Sequence, residues 1–156
     1  MISRAPKQLG DFGEGLVNYV LIKKKHEVAY VDHVGADLIS TFKNQRFAIS
    51  VKTRFFKSGS KESKMFTIED SHIEKLEEFS KLFGMKSIFS LVVCLSDIKK
   101  IYVIIIPVNL IRGNLKKNKN GYSIRFNEKD IISYRKNKSF DISEWENEMI
   151  KDWEFI

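Results

Sequence analysis

The chain has 156 residues, with 27 Lys and Arg against 20 Asp and Glu, three His, one Cys and two Pro. Its 43% of hydrophobic residues excludes a disordered or collagen-like chain, and its length suits one domain with a substantial core. The single cysteine, Cys94, excludes an internal disulfide framework and a cysteine-rich zinc site. No signal peptide or membrane-spanning run is visible, so we expect a cytoplasmic protein without a membrane partner.

The net charge of +7 is unevenly distributed. Lysine supplies 21 of the 27 cations in a chain also rich in Ile, Asn and Phe, a mixture typical of AT-rich codons, so net charge alone says little. Residues 1–60 carry ten cations and five acids, and residues 111–140 carry nine cations and two acids. The intervening residues are neutral and the last 16 are acidic. Two basic regions are therefore available to a polyanionic partner, and the acidic tail is placed to counterbalance one of them.

The hydrophobic periodicity predicts helices over residues 9–25 and 70–83, the second ended by Gly84. The predicted strands lie over residues 27–31, 35–41, 46–54, 87–95 and 100–106. The polar stretch 57–64 predicts a mobile loop. Beyond Pro107 the weaker pattern predicts a helical turn at 108–111, a strand at 122–126 and a helix at 143–150.

This order of elements, α-β-β-β-α-β-β, predicts the α/β class. Three consecutive strands between two helices indicate a central mixed sheet flanked by helices rather than a doubly wound parallel sheet. No linker rich in Gly, Ser or Pro divides the chain. We therefore expect a single domain over residues 1–156, with a core over about 9–106 and a basic C-terminal extension over 107–156.

The second and third predicted strands form a hairpin that gathers polar side chains on one sheet face. A two-residue turn over 44–45 places Asp37 directly opposite Lys52, and the strand period of two puts Ser50 on the same face. The opposite face is predicted to collect apolar residues, namely Ala36, Leu38, Phe47, Ile49 and Val51. From the pair alone, a solvated Asp–Lys contact on a sheet surface remains an open interpretation.

Glu14 on the first predicted helix is a second candidate acid. It lies only about 20° around the helix from Leu21, so it borders an apolar face. Gly10, Gly13 and Gly15 around it permit close approach of another element. A first-turn acid favoured by the helix dipole is the alternative interpretation.

The order of these residues resembles that of the PD-(D/E)xK, or restriction endonuclease-like, nuclease superfamily. The αβββαβ core of that family carries a glutamate on the first helix, an aspartate at the start of the second strand and a (D/E)-x-K tripeptide on the third. Glu14, Asp37 and the tripeptide Ser50-Val51-Lys52 fall at the corresponding places. The hairpin is similar to that of archaeal Holliday-junction resolvase-type members, and the resemblance spans roughly residues 9–106.

The resemblance implies a DNA endonuclease that hydrolyses phosphodiester bonds with Mg²⁺ or Mn²⁺. By motif position, Asp37 is the principal metal ligand, Val51 offers its backbone carbonyl to the metal, and Glu14 orients a metal-bound water. Lys52 is the catalytic cation, and Ser50 occupies the position of the second acid. DNA is the implied partner, and a homodimer is compatible with the family. The alternative is a catalytically inactive nuclease-like module that binds DNA or another protein.

Ser50 departs from the family pattern, because a hydroxyl brings no charge and is a poor ligand for a hard cation. Three explanations stay open. A glutamate of the second helix replaces the missing acid, or Glu14 and Asp37 suffice for one metal ion, or the site is inactive. The candidate replacements are Glu69, Glu74, Glu77 and Glu78, of which Glu74 lies nearest the helix start outside the cap region.

Five cations are predicted to contact phosphate: Arg54, Lys57, Lys116, Lys117 and Lys119. The first two follow Lys52 closely, and the other three belong to the more basic region. The histidines do not cluster at metal-ligand spacing, and loop or helix-cap positions explain them, although His33 lies near the mouth of the hairpin. Cys94 lies in an apolar strand and is predicted to be a core thiol.

Overall fold

The structure of the chain is a computed structural model that describes residues 4–57, 59 and 63–146. The helices in this part of the chain are α1 Ala5–Lys23, α2 Asp70–Phe83, α3 Val108–Asn114 and α4 Glu128–Lys136. The strands are β1 Glu27–His33, β2 Ala36–Phe42, β3 Gln45–Phe56, β4 Met65–Glu69, β5 Lys86–Leu95, β6 Lys100–Pro107, β7 Lys116–Lys117, β8 Gly121–Arg125 and β9 Asp141–Glu146. None of the helices described is long and apolar enough to span a membrane.

Within the described residues, the central sheet has six strands in the order β1-β2-β3-β5-β6-β9. Only β3 and β5 run parallel among these neighbours, and α2 lies in the crossover that such a pair requires. A smaller sheet has the strand order β4-β8-β7. Its strand β4 precedes α2 in the chain, and β7 and β8 follow α2. The prediction of a mixed sheet flanked by helices in an α/β fold is confirmed.

Both faces of the central sheet are buried. The α1-side core contains Val17 and Leu21 of α1 with Leu38, Ile49 and Val51 of the sheet. The α2-side core joins α2 to the other face and to the small sheet, and includes Ala48, Ile73, Leu76, Phe89 and Ile124. Strands β5 and β6 are buried on both faces, which explains why their sequences are continuously apolar rather than alternating.

The β2–β3 turn lies one residue earlier than predicted. Its two central residues are Lys43 and Asn44, with φ of 48° and 63°, and Phe42 pairs with Gln45 across it. Two positive φ values correspond to a type I′ turn, which matches the twist of the flanking strands and accommodates Asn readily. The predicted turn would instead have required Gln45 in the left-handed region.

The predicted pairing of Asp37 with Lys52 is therefore wrong. The register is displaced by two residues, so that Leu38 lies opposite Ile49. Because side chains alternate with a period of two, a displacement of two keeps every side chain on its own face. Ser50 and Lys52, two and four residues beyond Ala48 of the α2-side core, therefore still belong to the face that α2 covers.

The C-terminal region differs most from the prediction. The helix predicted at 143–150 is wrong over its described part, because Asp141–Glu146 forms β9 and pairs antiparallel with β6. Ile142 packs on the α2-side core and Trp145 on the α1-side core, so both faces of this strand are used. Strand β4 and helix α4 were not predicted. Half of the predicted mobile loop at 57–64, residues 58 and 60–62, lies outside the described residues.

Candidate active site

The β2–β3 ladder opens at Asp37. Its last pair is Leu38 with Ile49, and beyond it the backbone N–H of Val51 donates to Oδ2 of Asp37 at 2.6 Å. In a continued ladder this N–H would bond to the main-chain carbonyl of Ala36. The carboxylate takes the place of that carbonyl, so a charge-assisted hydrogen bond holds Asp37 against β3.

The same geometry directs the carbonyl of Val51. In an antiparallel ladder, a residue that directs its N–H at a neighbouring strand directs its C=O at that strand too. Since the N–H of Val51 reaches Asp37, its carbonyl oxygen points into the same opening between β2 and β3. The predicted backbone ligand therefore lies on the same side of β3 as the predicted carboxylate ligand.

Strand β2 turns over at this opening. Ala36 is buried in the α2-side core and Leu38 in the α1-side core, although strict alternation would put both on one face. The prediction that Ala36 belongs to the α1-side face is therefore wrong. Gly35, just before Ala36, lies close against α2, because a Cβ there would lie 2.6 Å from the carbonyl oxygen of Lys75. The residue before the opening thus packs directly on helix α2.

Glu14 reaches the opening from α1. A Cβ on Gly13 would lie 1.8 Å from Oγ1 of Thr53, so the helix backbone rests directly on β3 at this point. Burial raises the pKa of Glu14 above its ordinary value, and the negative charge of Asp37 raises it further, while Lys52 lowers it. Asp37 and Lys52 both act on the charge of Glu14, so both lie within electrostatic range of it, although α1 and α2 cover opposite faces of the sheet.

Ser50 and Lys52 are the side chains that β3 contributes to this site. Ser50 is only 7% exposed, and Lys52 is half-buried. The ammonium of Lys52 lowers the pKa of Glu14 on α1 and also that of His72 on α2. Lys52 is therefore the cation shared by the groups that converge from both helices.

His72 was not predicted as a site residue. It lies in the first turn of α2, half-buried, and its Nδ1 is buried without a hydrogen-bond partner among the described residues. Burial lowers the pKa of His72 and the charge of Lys52 lowers it further, which favours neutral imidazole at pH 7. The available sequence signal was helical spacing, because His72 precedes the buried Leu76 by four residues and Phe79 by seven.

The glutamates of α2 do not supply an obvious replacement acid. Glu77 forms two hydrogen bonds with Arg112, at 2.7 and 2.9 Å, on the side of α3. Glu74 is exposed, as is Glu78. Glu69, immediately before the helix, partly offsets the lowering of the pKa of His72.

The donor atoms at the opening suit a small divalent cation. Two carboxylates, Asp37 and Glu14, and the carbonyl of Val51 are all oxygen donors, and Mg²⁺ in proteins is typically held by one or two carboxylates completed by water and phosphate. Among the described residues, no three His, Cys, Asp or Glu side chains are gathered closely enough to hold a metal ion by themselves. The donor set therefore fits Mg²⁺ or Mn²⁺ better than a closed structural site.

The predicted phosphate-binding cations fall into two places. Arg54 and Lys57 are exposed at the end of β3, and the guanidinium of Arg54 lies 5.7 Å from the ring centre of Phe56. The other three belong to the β7–β8 hairpin: Lys116 and Lys117 form β7, and Lys119 lies in the turn after it.

The β7–β8 hairpin is attached to the start of α2. Lys117 forms an ion pair with Asp70, and the backbone N–H of Asp70 donates to the carbonyl of Asn120 at 3.0 Å. His72 lies two residues farther along the same helix. The hairpin that carries these lysines is thus joined to the end of α2 that faces Lys52.

Two other polar residues of the core have structural roles. The side chains of His26 and Ser40 are hydrogen-bonded, with 3.0 Å between Nδ1 and Oγ. The ring of His26 also stacks on that of Phe42, with 4.9 Å between the ring centres. Cys94 is fully buried, and burial raises the pKa of its thiol to about 12, far above that of a reactive thiolate. Cys94 therefore packs as an apolar side chain.

Comparison with known proteins adds evidence at the level of fold. No protein-family model and no curated protein sequence matches the chain. The structure of Hjc, a Holliday junction resolvase from the archaeal hyperthermophile Archaeoglobus fulgidus, superposes with a TM-score of 0.54 at 18% identity, over 78% of this chain and 85% of that one. A bacterial homing endonuclease superposes with a TM-score of 0.44 at 16% identity, over 78% and 75% of the two chains. The fold shared with the resolvase is the restriction endonuclease-like fold that the sequence resemblance implied.

Proposed function

We propose that this protein, which has the restriction endonuclease-like fold, is a metal-dependent nuclease that hydrolyses phosphodiester bonds in DNA. The observation that carries the proposal is the opening of the β2–β3 ladder at Asp37. There the carboxylate is held by the N–H of Val51 and shares an electrostatic site with Glu14 and Lys52. A bare cross-strand ion pair would explain neither the interrupted ladder nor the second carboxylate, Glu14, on helix α1.

Each residue at the opening has a chemical role in this proposal. Asp37, Glu14 and the carbonyl of Val51 would hold Mg²⁺ or Mn²⁺. Such an ion would lower the pKa of a water molecule and neutralise negative charge on the phosphate. Water attacks phosphorus and gives up a proton to solvent, the bond to the leaving ester oxygen breaks, and that oxygen takes a proton from solvent. Lys52 stabilises the negative charge that develops on the phosphoryl oxygens.

His72 is the group of α2 that the charge of Lys52 influences, and in this scheme it is proposed as a positioning residue for that ammonium. A neutral imidazole with an unpartnered Nδ1 accepts hydrogen bonds, and its lowered pKa favours that state beside the ammonium. Ser50 leaves the site with one acid fewer than the family pattern, and His72 brings an acceptor without adding charge. We expect His72→Phe to lower kcat and His72→Asn, which keeps an acceptor oxygen, to retain more of it.

The test is nicking of plasmid, linear duplex and four-way-junction DNA in the presence of Mg²⁺, Mn²⁺ or EDTA. We expect cleavage that depends on the divalent ion and falls by at least about a hundredfold in Asp37→Asn and in Lys52→Ala. Glu128→Gln and Lys81→Ala are matched controls, because both residues are exposed on helices away from the opening. Cleavage that persists in Asp37→Asn would exclude the proposed site.

A second function is favoured by Ser50 itself. A buried hydroxyl in place of an acid leaves two carboxylates, and this supports a module that binds DNA without cutting it. That function predicts no cleavage with either metal ion, together with DNA binding that weakens steeply as salt rises. The nicking assay and a salt titration of binding therefore separate the two functions.

A further inference from the structure

The hydroxyl of Thr53 is a buried polar group to which the proposed chemistry gives no role. Thr53 follows Lys52 on β3, and its Oγ1 is buried without a hydrogen-bond partner among the described residues. A buried hydroxyl that is left unpaired destabilises the folded state, and valine, which has nearly the same shape, would avoid that cost. A hydroxyl retained at this cost calls for an explanation other than packing.

This oxygen lies at a point of close contact between α1 and β3. A Cβ on Gly13 would be 1.8 Å from Oγ1 of Thr53, and a Cα–Cβ bond is about 1.5 Å long, so Oγ1 is within about 3.3 Å of the Cα of Gly13. An oxygen tolerates this distance, because Cα–H groups contact oxygen atoms at about 3.3–3.6 Å. Two carbon atoms reach their optimal separation only at about 3.5–4.0 Å. A methyl group in the place of Oγ1 would therefore hold α1 a few tenths of an ångström farther from β3.

Thr53 itself is held firmly by the central sheet. It pairs with Val92 of β5, which is fully buried. Its branched Cβ restricts the side chain to few rotamers, so the strand backbone determines where Oγ1 lies. Glu14 follows Gly13 directly in α1 and moves with the part of the helix that rests on this oxygen. The hydroxyl of Thr53 thus sets how closely Glu14 approaches the sheet.

We propose that Thr53 is a positioning residue for the metal ion, because its hydroxyl lets α1 approach β3 closely enough for Glu14 and Asp37 to bind one ion together. The inference rests on the proposed function, since it takes Glu14 and Asp37 as metal ligands. Thr53 acts through the backbone of Gly13 and contacts neither the ion nor DNA. Serine keeps the small oxygen atom at this position, whereas valine replaces it by a methyl group.

The experiment measures Mn²⁺ binding to the full chain without DNA, by electron paramagnetic resonance, together with urea denaturation in EDTA. We expect Thr53→Val to weaken Mn²⁺ binding about three- to tenfold, and Thr53→Ser to leave it within about twofold. The urea midpoint of Thr53→Val should stay within about 0.5 M of that of the unaltered protein, because the loss of an unpaired hydroxyl offsets the displacement of α1. The matched control is Thr41→Val, at an exposed position of β2.

The outcomes separate this inference from the proposed function. Equal Mn²⁺ affinity in Thr53→Val and in the unaltered protein would overturn the positioning role and leave the nuclease standing. An equal loss of affinity in Thr53→Ser and Thr53→Val would also overturn it, because the hydroxyl would then have no effect of its own. An unaltered protein that binds no Mn²⁺ overturns both proposals.

A second pair of variants keeps the test decisive if Thr53→Val does not fold. Thr53→Ser and Thr53→Cys differ only in the γ atom, and sulfur is larger than oxygen. The cysteine variant should therefore bind Mn²⁺ more weakly than the serine variant. Equal affinity in these two variants would overturn the positioning role.

Discussion

At the scale of single residues, the site contains two carboxylates that repel each other. Asp37 is held by a backbone N–H, whereas Glu14 is half-buried near it, and its pKa is raised by burial and by the charge of Asp37. Carboxylates arranged in this way destabilise the folded protein when both are ionised. Such a cost is typical of functional sites and disappears when a divalent cation is bound.

We therefore expect Glu14→Gln to stabilise the metal-free protein at pH 7. In the unfolded chain Glu14 has its ordinary pKa of 4.5, and in the folded chain its pKa is higher. The folded state therefore holds the proton more tightly, and the free energy of unfolding falls as the pH rises above 4.5. Thermal unfolding should show a Tm about 1–2 °C higher for Glu14→Gln at pH 7 and little difference at pH 4.

The exposed Glu27 provides the control, since Glu27→Gln should leave the pH dependence unaltered. Mn²⁺ should raise the Tm of the unaltered protein more than that of Glu14→Gln, because the variant lacks one proposed ligand. An unchanged or lower Tm for Glu14→Gln in EDTA at pH 7 would contradict the electrostatic account.

At the scale of elements, the packing of α1 on β3 decides where Glu14 lies. Gly13 has no room for a side chain, because a Cβ would meet Oγ1 of Thr53 at 1.8 Å. Gly15 lies two residues away in the same helix, and a Cβ there would meet no other element within 4 Å. The two glycines therefore differ in packing while sharing a helix, which makes them a matched pair.

Gly13→Ala should destabilise the protein by about 1–3 kcal/mol, because the helix must move away from β3. Gly15→Ala should instead stabilise it by up to about 1 kcal/mol through helix propensity. Urea denaturation measures both changes. Nicking should also fall in Gly13→Ala, since Glu14 moves with the helix. Equal effects of the two substitutions would show that α1 does not rest on β3 as described.

At the scale of the whole molecule, ion pairs reduce the basic surface that composition suggests. Lys24 pairs with Asp141 of β9, and Lys100 and Arg135 both pair with Glu144. The described part of the acidic C-terminal region thus counterbalances cations near β6 and β9. Lys116 and Lys119 remain exposed on the β7–β8 hairpin, which is joined to the start of α2.

We expect the double substitution Lys116→Ala and Lys119→Ala to weaken DNA binding without regard to sequence. Each phosphate contact contributes about 0.9 to the slope of log K against log salt, so the slope should become shallower by about two. The matched control replaces Lys23 and Lys81, which lie in the last turns of α1 and α2. If the slope changes only in the control variant, the DNA interface lies at the C-terminal ends of α1 and α2 instead.

The local periodicity of the sequence by itself determined much of the secondary structure of this protein. The spacing of apolar residues predicts α1 and α2, and the left-handed Gly84 ends α2 as expected. The continuous apolar runs predict β5 and β6 as strands buried on both faces. The alternation along β3 places Ser50 and Lys52 on one face whatever the register. These features depend on neighbours within one element, so they can be read from the chain.

Tertiary structure alone decided the features that depend on distant partners. The register of β2 against β3 follows from the backbone conformation of Lys43 and Asn44. Strand β9 forms by pairing with the edge of β6. His72 becomes a site residue only when α2 crosses from β3 to β5 and brings it to Lys52. The opening at Asp37 likewise needs Val51 from the adjacent strand. Pairing and packing between elements are non-local, and no local pattern of residues encodes which partner will be met.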